Sequence, residues 1–260
     1  MKEFITSSQN PKVKEILKLR KASNREEAGL IVVEGHQEIG MALTSGLELD
    51  RLYYCGEYNH KDRKIAGLEE ELIISVVPAV FLKISYRENP DGFLAIFKAS
   101  APELSKIKLS ANPLVIILES LEKPGNLGAI FRSADAAGVN AVIINDKKTD
   151  IYNANVIRAS LGTIFTTPHA VSTLEETRAW LEKNKIKTFA AAPAATKLYT
   201  EVNYDGPVAI VVGEEHPGLS ESWLEQASEK VRIPMSGKID SLNVSVSTAV
   251  ILFEAIRQRK

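Results

Sequence analysis

Cysteine is nearly missing from this chain of 260 residues: Cys55 stands alone. An intramolecular disulfide is therefore excluded, as is a zinc site built from thiolates, and a reducing compartment fits. Cys55 follows Leu52-Tyr53-Tyr54 and reads as a buried strand residue rather than a nucleophile. The four histidines, at 36, 60, 169 and 216, show no metal-ligand spacing. No run of eighteen apolar residues occurs, so no membrane-spanning helix is expected. The stretch Met1-Lys2-Glu3-Phe4-Ile5-Thr6-Ser7-Ser8 lacks the apolar core of a secretory signal, and a cytoplasmic location is expected. No G-x-G-x-x-G follows a strand, which disfavours a Rossmann dinucleotide enzyme or a Rossmann-type methyltransferase. Internal repeats and low-complexity tracts are also missing.

The residues that are present suit a soluble protein with a full core: 45% are hydrophobic and 25% charged. The net charge of −1 does not announce a nucleic-acid binder. Locally the balance differs. Residues 1–28 hold seven basic residues against four acidic ones, an excess of +3, and the chain closes on Arg257, Arg259 and Lys260. Such clusters can meet phosphate; on a helix they are more often a solvated face.

The pattern divides the chain in two. Ser7-Ser8-Gln9-Asn10-Pro11 is a helix start, with a polar cap and proline in the first turn, and Val13, Ile16 and Leu17 give it an apolar stripe. Short strands follow at 30–33, 49–55, 72–77 and 93–97, with helices around Ile39–Leu43 and Val80–Leu82. Asn89-Pro90-Asp91-Gly92 is a turn. We therefore read 1–98 as a small α/β domain, 99–112 as a polar linker and 113–260 as a second domain. In the second, Leu114–Leu118 is a fully buried strand, 126–138 a helix, and Ala141–Ile144 the next strand. Helices at 153–161 and 174–181 and a strand at 188–191 continue an alternation that predicts a largely parallel sheet. Near the end, the apolar run Val208–Val212 stops at Gly213. A strand is expected to finish at Ile233-Pro234-Met235, and a helix to start near Asn243. Strand ends carrying glycines, carboxylates and a polar helix start suit a ligand site at the carboxyl edge of a parallel sheet.

Three clusters carry a more specific message. They are Pro124-Gly125-Asn126-Leu127-Gly128 with Arg132; Val212-Gly213-Glu214-Glu215 with Gly218-Leu219; and Ile233-Pro234-Met235 with Ser241-Leu242-Asn243-Val244-Ser245-Val246. In this order and spacing they resemble the SpoU/TrmH family of RNA ribose 2′-O-methyltransferases, of the SPOUT superfamily, over about 113–259. Residues 28–97, with Val33-Glu34-Gly35 and Pro90-Asp91-Gly92-Phe93, resemble the ribosomal-protein-like RNA-binding domain that precedes it in ribosomal-RNA members. The resemblance implies a parallel-sheet domain with a trefoil knot, although knots are nearly absent among folds in general. It also implies S-adenosylmethionine as cofactor, an RNA substrate, ribosomal in the first place, and a homodimer through the C-terminal domain.

Each matched residue has two readings. Gly213 lets a ligand approach the backbone closely, or is a strand-end turn glycine. Ile233, Met235 and Leu242 cover an adenine, or are plain core; Ala192-Pro193 supply a third wall by analogy with the family. Arg132 grips an RNA phosphate and stabilises a developing 2′-oxyanion, or is an exposed arginine or ion-pair partner. Asn126 orients the target nucleotide or Arg132, or caps a helix. Glu215 holds Arg132 or the ligand loop, or is a surface carboxylate. Ser241 and Asn243 line the reacting site, or cap the last helix. That helix is apolar on more than one side, as expected if half of it faces a partner subunit. No metal is required. Methylation of tRNA ribose, methylation of a base, and a non-catalytic RNA-binding or assembly role on the same fold are the competing functions.

Overall fold

The structure is a computed structural model, described for residues 3–99, 101–214 and 218–259. Two compact units emerge: Met1–Ser100 with Asp150–Thr166, and Ala101–Thr149 with Thr167–Lys260.

The first unit opens with β1 (Phe4–Ile5) and α1 (Pro11–Lys18), whose start is capped by the Asn10 side chain accepting from Lys12 N. Next come α2 (Ala22–Ala28), β2 (Leu30–Glu34), α3 (His36–Thr44), β3 (Leu49–Tyr54), β4 (Ile73–Val76), α4 (Pro78–Ile84) and β5 (Phe93–Lys98). The strands form a mixed sheet in the order β1-β4-β3-β5-β2, with β5 antiparallel to both of its neighbours. Its core holds Ile5, Val13, Ile16, Tyr53, Phe81 and Ile96.

The quoted motifs of this unit serve its own turns. The buried Glu34 carboxylate accepts hydrogen bonds from Ser85 Oγ at 2.5 Å and Tyr86 N at 2.7 Å, and burial raises its pKa. Asp91 accepts from His36 N at 2.9 Å, at the start of α3. Gly92 sits at φ +87°, where a Cβ would stand 2.4 Å from the Cys55 carbonyl oxygen; only glycine fits. The basic cluster is partly structural. Arg20 donates to the carbonyls of Lys83, Ile84 and Ser85, while buried Arg25 donates to the Leu19 carbonyl and pairs with Asp150.

Within the second unit's span of sequence, Asp150–Thr166 belongs to the first. It carries α6 (Ala154–Ala159) and α7 (Thr163–Thr166), which pack on β2 and α3. Its apolar residues Ile151, Val156, Ile157 and Ile164 are buried there.

The second unit holds β6 (Leu114–Glu119), α5 (Pro124–Ala137), β7 (Ala141–Asn145), β8 (His169–Ser172), α8 (Leu174–Lys183), β9 (Lys187–Ala191), β10 (Lys197–Leu198), β11 (Val208–Val212), α9 (Glu221–Gln226), β12 (Glu229–Arg232) and α10 (Val244–Gln258). All seven strands are parallel, in the order β10-β12-β9-β11-β6-β7-β8. β6 and β11 are buried throughout, as expected of central strands covered on both faces. Pro124 occupies the first turn of α5, and Gly138 ends it at φ +64°. Thr173 and Glu176 close a reciprocal cap on α8. Within the stretch expected to be a linker, Leu104, Ile107 and Leu109 pack on this unit's core, and Val171 N donates to Pro102 O at 3.2 Å.

The chain lays β6, β7 and β8 outward in one direction, then crosses to build β9 to β12 on the other side. The order reverses beside β6, and the carboxyl edge at such a reversal is where loops splay and leave a crevice.

Candidate functional site

At that edge, the loops after β9, β11 and β12 and the start of α10 enclose a cavity of about 320 Å³. Ala192, Pro193, Gly213, Ile233, Met235 and Leu242, the six residues assigned to a cofactor from sequence, all line it, and Ser241 lies beside them. Leu219 and Ile251 add apolar wall. Such a volume and lining suit a small organic ligand held by apolar surface and strand-end backbone.

The loop after β11 is held in place by two carboxylates. Glu119, at the end of β6 and 8% exposed, accepts from Ser220 N at 2.8 Å and from Ser220 Oγ at 2.7 Å. Glu214 accepts from Glu122 N at 3.2 Å. A Cβ on Gly213 would stand 2.6 Å from the Gly218 carbonyl oxygen. The missing side chain at Gly213 thus makes room for its own loop. Glu119 was not singled out from sequence; its only signal is a carboxylate closing an otherwise apolar strand. Glu215 lies outside the described residues.

Two of the remaining candidates, Asn126 and Asn243, meet where two helices start. Asn243 caps α10: its Oδ1 accepts from Ser245 N at 3.0 Å and Ser245 Oγ at 2.6 Å. Its Nδ2 donates to Asn126 Oδ1 at 3.1 Å. Asn126 sits in the first turn of α5, where Lys123 is the capping residue, so it does not cap that helix. α5 packs along α10, which brings these starts together. Arg132 lies six residues on from Asn126, about 9 Å along the axis. It is exposed, and among the described residues it makes no ion pair. Asn126, Arg132 and Asn243 are not among the residues lining the cavity. The structure therefore joins Asn126 and Asn243 at two helix starts and places Arg132 further along α5, outside the cavity lining.

Residues 113–253 match the model of the SpoU rRNA Methylase family. The chain belongs to that family. Residues 10–95 match a second model, the MRM3-like substrate binding domain, so both halves of this SpoU protein have counterparts. A 23S rRNA (guanosine-2′-O-)-methyltransferase, RlmB, of Ralstonia nicotianae is 32% identical, over 81% of this chain and 88% of its own length. A crystal structure of an RNA 2′-O ribose methyltransferase is 40% identical, with a TM-score of 0.84, covering 98% of this chain and 99% of that one. The AdoMet-bound rRNA methyltransferase from Sinorhizobium meliloti is 30% identical, with a TM-score of 0.88, covering 98% and 97%. The cavity fits such a cofactor on its own terms, since Ile233, Met235 and Leu242 offer apolar surface for a flat ring and the strand ends offer backbone groups for its edge.

Proposed function

We propose that this protein transfers the methyl group of S-adenosylmethionine to a ribose 2′-hydroxyl of RNA, with ribosomal RNA of the 23S type as substrate. One observation carries the reading: segments at Ala192-Pro193, Gly213, Ile233–Met235 and Ser241-Leu242 converge on a single cavity in a chain of the SpoU family. The 23S rRNA activity in the name of the Ralstonia relative supports the substrate. S-adenosylmethionine, when bound, supplies an electrophilic methyl carbon on a sulfonium.

The rest is the work of the chain. Ile233, Met235 and Leu242 cover the adenine, while Ala192, Pro193 and Gly213 leave the strand-end backbone within reach. Holding a sugar oxygen in line can contribute on the order of 7 to 11 kcal/mol at best. Arg132 grips an RNA phosphate with two hydrogen bonds and stabilises the 2′-oxygen as it gains charge. A guanidinium stays protonated, so the proton leaves through phosphate or water instead. Asn126 and Asn243, bonded to each other, orient the target nucleotide; Ser241 stands at the reacting end of the wall; Glu215 holds Arg132 or the ligand loop.

The active form is a homodimer through α10. In support, Val246 is 47% exposed and Phe253 49% exposed, two turns apart on one face of the helix. A trefoil knot in the C-terminal segment and a cytoplasmic location complete the reading, both supported by family membership. The test is to incubate ribosomal RNA with protein and cofactor and analyse the digested nucleosides. A 2′-O-methylnucleoside is expected. A methylated base, or no product from folded protein that binds the cofactor, overturns the reading.

A further inference from the structure

The first unit contains its own cavity, of about 150 Å³, lined by none of the residues of the methyl-transfer pocket. We propose that it is a socket for one unstacked pyrimidine base of the RNA, an inference that rests on RNA being the substrate. Ile16, Leu19, Val32, Leu94 and Ile157 give the socket an apolar floor. An apolar cavity of about 150 Å³ accepts benzene, so a flat six-membered ring fits.

The rim has a different chemistry. Arg20, Tyr86 and Arg158 line the cavity and are exposed. The Tyr86 ring is 48% exposed, and its hydroxyl accepts from Asn155 Nδ2 at 3.1 Å, which holds the ring at the edge. Arg20 is anchored by its bonds to the carbonyls at the end of α4. Two further lining arginines are already neutralised, Arg25 by Asp150 and Arg87 by Glu38. Arg20 and Arg158 form no ion pair among the described residues.

An apolar socket beside an exposed aromatic ring and two uncompensated guanidiniums matches the parts of a splayed-out nucleotide: a flat base to bury and stack, and phosphates to grip. A bare phosphate would leave the apolar floor unused. A neutral apolar ligand would leave the guanidiniums unused.

The test is equilibrium binding of a short oligouridine to the full chain, beside the same oligonucleotide with abasic sites. Oligouridine should bind more tightly. Tyr86→Ala, a surface change, should weaken it by about fivefold or more, the low end for one stacked base. Ala154→Phe, which fills the cavity while keeping every charge, should do the same and leave S-adenosylmethionine binding unchanged. Equal binding of the abasic strand overturns the proposal. So does a loss confined to Arg158→Ala while Tyr86→Ala and Ala154→Phe bind normally, because that describes surface attraction alone. Methyl transfer is not read in this assay. Base-dependent binding without any methylated product would sink the functional reading and leave the socket standing.

Discussion

Asn243 Nδ2 donates to Asn126 Oδ1 at 3.1 Å, joining residues 117 positions apart at the starts of two packed helices. The direction of the bond is fixed locally: Asn243 Oδ1 already accepts from Ser245 N and Oγ, which leaves its amino group facing Asn126. Asn243→Ala removes both the cap and the bridge. Loss of the cap alone should cost about 1 kcal/mol. A double-mutant cycle with Asn126→Ala should show coupling of about 0.5–1.5 kcal/mol in the stability of the second unit, measured by denaturant unfolding. Strict additivity would mean the bridge contributes nothing.

Gly213→Ala forces a Cβ to within 2.6 Å of the Gly218 carbonyl oxygen. The loop latched by Glu119 must shift, at about 1–3 kcal/mol by analogy with overpacking, and cofactor affinity should fall by tenfold or more in calorimetric titration. Gly237→Ala is the control, because a Cβ there meets nothing within 4 Å. Equal effects from the two would remove the argument for this turn.

Arg132 is exposed on α5 and lies outside the cavity lining, so its substitution separates binding from turnover. Arg132→Ala should leave S-adenosylmethionine affinity within about twofold and reduce turnover by about 10²–10³, the scale for losing one donor to a developing oxyanion. Arg132→Lys should recover only part, since an ammonium lacks the planar fork. Equal loss of affinity and rate would make Arg132 structural. Full recovery by lysine with a shifted pH profile would end the fork argument.

Alkaline pH should unfold the first unit. Burial pushes the phenols of Tyr53 and Tyr152 up to about 12. Each keeps its proton longer in the folded chain than in the unfolded one, where the pKa is about 10. The stabilisation is therefore complete below about pH 10 and lost as pH rises towards 12, on the order of 2–3 kcal/mol per tyrosine. Denaturant melts at rising pH should show that fall, with tyrosinate absorbance appearing only as the chain opens. Both phenols titrating near pH 10 in folded protein would contradict it.

The most apolar elements were the easiest to read. Leu114–Leu118 and Val208–Val212 are unbroken apolar runs and form β6 and β11. Other elements escaped because their burial is slight. β8 has one buried residue in four and lies at the sheet edge. α2 carries no apolar stripe at all. The strand expected to finish at Met235 ends at Arg232 instead, because Ile233 and Met235 are apolar for the sake of the cavity and not the sheet. The pocket residues were legible through motif order. The Glu119–Ser220 latch was not, since a bond between residues 101 apart leaves no local pattern. The packing of Asp150–Thr166 on the first unit was hidden for the same reason: its apolar positions are visible, but not which sheet they cover.

The central claim is that distant turns form one pocket for the methyl donor. A crystal structure with S-adenosylhomocysteine tests it most directly. The account predicts the adenine between Ile233, Met235 and Leu242, with the ligand against Gly213. A ligand bound away from those residues would contradict it.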